Sequence, residues 1–179
     1  MFRYIRNIAI VAMVFAFTAQ VSNAQVASSV SASAEVKTNL TLTKLEGSSI
    51  NFGALSATTP GTIVLDANGE AGNANTGSVT HVARFDLTGA NSAITVAYDA
   101  SVALTCSTAA TSMTMTPEVV GALLYSTTDQ TNATAIANAS TITPTAGKYY
   151  IWVGGLIATL TNKESGVYTG TFNINVEYN

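Results

Sequence analysis

The chain is 179 residues long, 47% apolar but only 9% charged, with seven Lys/Arg against ten Asp/Glu and a formal net charge of −3. That length suffices for one domain with a real core, and the acidic balance argues against nucleic-acid binding, which uses a basic patch. A single cysteine, Cys106, rules out an intrachain disulfide; a single histidine, His81, with the cysteine far away in sequence, cannot anchor an ordinary zinc site.

Residues 1–24 read as a secretory signal peptide. Arg3 and Arg6 supply the positive start, Ile8 to Phe17 the apolar stretch, and Ser22-Asn23-Ala24 a small-residue cleavage site. The apolar run is short for a membrane span; an uncleaved N-terminal anchor is the alternative. Cleavage after Ala24 leaves 155 residues with five Lys/Arg and ten Asp/Glu, about −5 net. Thr, Ser and Asn must then build most of the polar surface.

From Gln25 to Thr43 the even positions are mostly apolar and the odd ones almost wholly polar, the period of a β-strand with one buried face. Nineteen residues is long for one strand, which usually runs about 5–6. The run therefore divides into an arm over 25–36, with Val26, Val30, Ala32, Ala34 and Val36 on its apolar face, and the first strand of a domain over 39–45. The arm's small side chains suit insertion into a narrow groove better than a core of their own.

Strands are predicted over 49–54, 61–65, 78–88, 93–99, 101–106, 111–116, 119–125, 148–157 and 166–178. Asn51-Phe52-Gly53, Thr59-Pro60-Gly61, Asp66-Ala67-Asn68-Gly69, Gly89-Ala90-Asn91 and Gly154-Gly155 punctuate them as turns. The spacing is that of an all-β sandwich. No stretch shows a convincing helical period, and Thr131 to Ser140 reads as a surface loop or weak strand. Cys106 is in phase with Val102 and Leu104, which predicts a buried, inert thiol rather than a reactive or intermolecular one. Asp66-Ala67-Asn68-Gly69-Glu70 only faintly resembles a calcium loop, lacking the closing Glu at the twelfth position; a hairpin turn on Asn68-Gly69 is the simpler expectation. Gly72 to Gly77 lacks the Lys of a phosphate loop. No Ser sits in a Gly-x-Ser-x-Gly elbow, so no catalytic residue is assigned and no enzymatic activity, metal or cofactor is expected.

Tyr149-Tyr150-Ile151-Trp152-Val153 is the densest aromatic group. Tyr149, Ile151 and Val153 share one strand face; Tyr150 and Trp152 share the other. Core packing on one face with a covered aromatic pair on the other is the expected arrangement. An open Tyr150/Trp152 platform that stacks on a sugar is the sharper alternative.

The C-terminal run alternates most cleanly. From Phe172 the even positions are Phe172, Ile174, Val176 and Tyr178, and the odd ones Asn173, Asn175, Glu177 and Asn179. A strand of this kind at a sheet edge is an association hazard unless something pairs with it.

These two ends resemble chaperone–usher pilin subunits and, within that likeness, a bacterial domain family of unknown function with pilin-like features. The motif that carries the resemblance is Gly166, fourteen residues from the end, then alternating Phe172, Ile174 and Val176, then penultimate Tyr178. The opening segment Leu42 to Gly53 is similar too. The chain departs from many pilins in having no disulfide and a Ser/Ala-rich arm.

The resemblance implies an immunoglobulin-like sandwich over 37–179 that lacks its last strand. Its groove would be edged by Gly166, Phe172, Ile174, Val176 and Tyr178, and completed by a donor strand: Val26, Val30, Ala32, Ala34 and Val36 of a neighbouring copy. It further implies a periplasmic chaperone and an outer-membrane usher as partners, and export through the periplasm to a surface fibre. The alternative is a self-contained secreted sandwich whose arm folds back on its own C-terminal strand and which binds a glycan through Tyr150 and Trp152.

Overall fold

The computed structural model describes Ser31 and residues 33–179. The expected signal peptide and the arm positions Val26, Val30 and Ala32 lie outside the described residues. Two compact units divide between Glu35 and Val36. In the first, the described residues carry no regular secondary structure, and Ala34 is exposed.

The second unit is nearly all β. Its strands are β1 (Thr41–Lys44), β2 (Ile63–Leu65), β3 (Ala83–Thr88), β4 (Ile94–Tyr98), β5 (Val102–Thr105), β6 (Ser112–Ala122), β7 (Thr134–Ala135), β8 (Ser140–Ile142), β9 (Lys148–Ile157) and β10 (Ile174–Tyr178), with one short helix, α1 (Thr127–Thr131). They form two antiparallel sheets. The larger runs β1-β3-β9-β6-β5, with β2 added to β9 and β7 to β6; the smaller runs β10-β4-β8. The sheets pack as a sandwich, as the strand spacing predicts.

β9 is the centre of the larger sheet because its sequence is apolar on both faces, as strands covered on both sides are. Tyr149, Ile151 and Val153 point between the sheets and join Leu87, Ile94, Val96, Val119, Ile136 and Ile142 in the main core. Trp152 points the other way and packs with Ala67 and Val120 under the loops of the outer face. A second cluster at the far end holds Phe52, Ile63, Leu65, Val102, Met115, Ile157 and Leu160, and Phe172 packs against both it and the main core. Gly154 allows β2 to lie close: a Cβ there would stand 2.1 Å from the Leu65 carbonyl oxygen.

Several expectations are corrected. The predicted strands 111–116 and 119–125 are one strand, β6, despite Pro117. Val119 gives its carbonyl to the Ile136 N–H on the side away from β9. Pro117, two residues earlier, therefore aims its missing donor into the gap between β5 and β7, where nothing pairs. Among the described residues, segment 49–54 contributes only the Asn51–His81 bridge, His81 is exposed, and 78–88 becomes a strand only from Ala83.

The hairpin on Asn68-Gly69 is a wider loop. The Val64–Ala74 bridge closes it, Asp66 Oδ1 accepts from the Asn68 N–H at 2.8 Å, and a 3-10 turn follows over Glu70–Gly72. The short helix α1 was not expected. Ser126 caps it, accepting from the Asp129 N–H at 3.1 Å, while the weak strand expected beyond it is β7.

Cys106 is not buried. β5 ends at Thr105, and the half-exposed thiol lies 3.2 Å from Thr108 Oγ1. That hydrogen bond, the largest of several, holds its pKa below the ordinary thiol value.

Candidate functional site

The C-terminal segment does not form one strand over 166–178. It first runs beside the large sheet, where Thr169 and Thr105 exchange two backbone hydrogen bonds of 2.9 Å, and then crosses to the small sheet, where Asp99 N–H donates to the Asn173 carbonyl at 3.1 Å. The crossing separates Gly166 from the rest of its motif. A Cβ on Gly166 would meet Cys106 Sγ at 2.4 Å, so this glycine sits against the end of β5 and not along β10.

The other four residues come together as the alternation predicts. Phe172, Ile174, Val176 and Tyr178 share one face, each half-buried, while Asn173, Asn175, Glu177 and Asn179 are exposed. β10 pairs with β4 in the register Ile174–Tyr98, Val176–Val96 and Tyr178–Ile94, and among the described residues β4 is its only neighbour. Ile94 and Val96 are fully buried. The core is thus sealed behind β4 and open beside β10.

The larger sheet ends on the same side of the sandwich at β1. Leu40, Leu42 and Phe85 pack against the main core while staying partly exposed, as do Phe172, Ile174, Val176 and Tyr178. Leu40 and Tyr178 meet over Gly89: a Cβ there would lie 2.6 Å from the Tyr178 hydroxyl and 2.9 Å from Leu40 Cδ1. Among the described residues β1 pairs only with β3. Two edge strands, one from each sheet, therefore flank an apolar seam without pairing to one another.

The root of the arm is fastened at one end of that seam. The Tyr178 hydroxyl accepts from the Ala90 N–H at 2.5 Å and donates to the Thr38 carbonyl at 3.0 Å. Lys37 Nζ donates to Ser92 Oγ at 2.8 Å and lies 5.3 Å from the centre of the Tyr178 ring. Val36, just before it, is 95% exposed. Among the described residues, Val36 is the one expected donor position that belongs to the second unit, directly before Lys37.

Tyr150 and Trp152 share a face as expected, but Trp152 offers no platform, being 2% exposed. Tyr125 stacks on it with ring centres 6.4 Å apart and 16° between planes, and stands 5.6 Å from Tyr150. The Arg84 guanidinium lies 3.6 Å from the Tyr125 ring centre and 5.9 Å from that of Tyr150. Asp86 receives two hydrogen bonds from Arg84, 2.8 and 2.9 Å, and they raise the Arg84 pKa. Burial of the indole and its aromatic and cationic cover remove the sugar-stacking surface. Tyr125 and Arg84 are distant in sequence from Trp152, so no local pattern announced them.

Among the described residues no group of three His, Cys, Asp or Glu could hold a metal ion, and no helix is long and apolar enough to cross a membrane. A search of curated proteins finds no match to this chain. A family model does match, over residues 40–178, from the first seam residue on β1's side to the tyrosine that ends β10. The chain belongs to the family defined by the domain of unknown function DUF4402.

Proposed function

We propose that the protein is a structural subunit of an extracellular fibre, built by strand addition at the seam between β1 and β10. The observation that carries this reading is the half-buried row Phe172, Ile174, Val176 and Tyr178 on a strand with one neighbour, with the arm rooted at its end. An extended segment laid along β10 gains a ladder of backbone bonds, and its alternate side chains enter the seam. Fully burying an apolar side chain stabilises by roughly 1.5–3 kcal/mol. The four residues are already half covered, so the added strand contributes about 3–6 kcal/mol, a large part of a domain's whole stability.

The direction of the arm bears on who supplies the strand. From Thr38, held at the Tyr178 end, an arm returning directly along its own β10 runs parallel to it. An arm from a second copy is free to pair antiparallel, the slightly better-bonded ladder. Contacts of this head-to-tail kind do not close, and a filament results. A signal peptide, a periplasmic chaperone, an usher and a surface location belong to the same proposal, through the resemblance to pilins.

The test is an immunoblot of sheared cell-surface material, run unheated and boiled in SDS. A ladder of multimers that collapses to one band on boiling is the expected result. A single monomer band in both lanes would instead assign the arm to its own seam and make the protein a self-completed monomer.

A further inference from the structure

A second concavity lies on the opposite side of β4 from the seam. It is a cleft of about 560 Å³ between the end of β6, α1, β7, β8 and the start of β9, within the range that holds small ligands. It owes its depth to Gly121. A Cβ there would stand 2.4 Å from Tyr149 Cε1 and 2.8 Å from Ile136 Cδ1, so only glycine lets the Tyr149 ring lie beneath β6.

Tyr149 forms part of the lining and is only 9% exposed. Its hydroxyl makes no hydrogen bond to any described residue, yet no unpartnered polar side-chain atom among the described residues is sealed from solvent. The phenol oxygen is therefore solvent-accessible, on a residue that lines the cleft. Burial raises its pKa, which keeps it a neutral donor at physiological pH.

The remaining lining sets the chemistry of that partner. Leu123, Leu124 and Ile136 give apolar wall, and Asp129, Asn132 and Thr134 give polar groups around it. A purely apolar ligand would bury those polar groups unpaired. An anion would face the Asp129 carboxylate with no Lys, Arg or His in the lining to receive it. A neutral saccharide avoids both penalties, having apolar C–H faces and hydroxyls that donate and accept.

We infer that the cleft between β6, α1 and β8 binds a neutral saccharide, with the Tyr149 hydroxyl at its floor as the orienting hydrogen-bond group. The site is independent of strand addition, since β8 and β10 lie on opposite sides of β4, and a filled seam leaves it open.

The test is an NMR titration of the full chain with methyl glycosides of glucose, galactose, mannose and N-acetylglucosamine, with glucuronate and inorganic phosphate as charged counterparts. At least one neutral glycoside should shift the amide signals of Leu123, Thr134 and Tyr149. Tyr149→Phe, which keeps the ring, should weaken that binding about tenfold, the effect of one hydrogen bond. Thr134→Val, at an exposed position, provides a second variant should the first fail to fold. No saturable shift with any neutral glycoside at tens of millimolar would overturn the proposal. So would tighter binding of glucuronate or phosphate, or folded variants that bind as well as the parent.

Discussion

The Tyr178 hydroxyl accepts from Ala90 and donates to Thr38 while its ring covers the end of the core, so one side chain ties β10, the 89–91 turn and the arm root together. Tyr178→Phe retains the ring and deletes both bonds. It should lower stability by about 1–3 kcal/mol, read as a lower melting temperature, and should leave the Ala90 N–H without its acceptor, so that this amide hydrogen exchanges faster. Cys106 gives a second test at this scale. Its half-exposed position and its hydrogen bond with Thr108 predict that the folded protein reacts with a thiol reagent without denaturant. Because the shift is downward, the thiolate and its reactivity should persist to lower pH than for an ordinary cysteine. Thr108→Val should move that pH dependence back up.

Among the elements, β9 and β10 obey opposite logics. β9 is covered on both faces and flanked on both edges, so it tolerates little change. Gly154→Ala sets a methyl against the Leu65 carbonyl and should destabilise by about 1–3 kcal/mol or more, with β2 the first strand to lose protection in hydrogen exchange. β10 is half covered and flanked on one edge, and its incomplete cover is where the proposed function lies. Val36→Asp places a charge on the arm directly before Lys37, and Val30→Asp does so further along the arm. Each should abolish the SDS-resistant multimers while leaving the folded domain and its capture by a chaperone intact. Wild-type multimers from both variants would remove the arm from the mechanism.

For the whole molecule, the two sheets close around β4 and β9 but leave β1 and β10 unjoined among the described residues. A domain open along one seam exposes part of its core until a strand fills it, which makes the bare form association-prone. Once filled, such a seam opens only by breaking a whole ladder of bonds together, so its lifetime is set by a rate and not by an equilibrium. That is why the multimers are expected to survive unheated SDS and to fail on boiling. The aromatic and cationic cover of Trp152 belongs to the closed face of the same molecule and has no part in this exchange.

Period-two alternation was enough to foresee the all-β class and the strands β3, β4, β5 and β10, because a side chain's face on a strand is decided by its own position in the run, while β9 was legible as a short apolar and aromatic run. It also brought Phe172, Ile174, Val176 and Tyr178 onto one face correctly. It failed for Gly166, which lies against Cys106 far away in sequence, and for Cys106, because β5 stops at Thr105 and the thiol leaves the strand; it put Tyr150 and Trp152 on one covered face correctly, but could not name Tyr125 and Arg84 as the cover. The expected strands 111–116 and 119–125 fuse into one because whether the missing N–H of Pro117 breaks a strand depends on what lies beside it. The cleft over Tyr149 left no trace in the chain, being assembled from β6, α1, β7, β8 and β9. Local periodicity determined which residues turn inward; only tertiary packing decided which inward faces are sealed and which stay open.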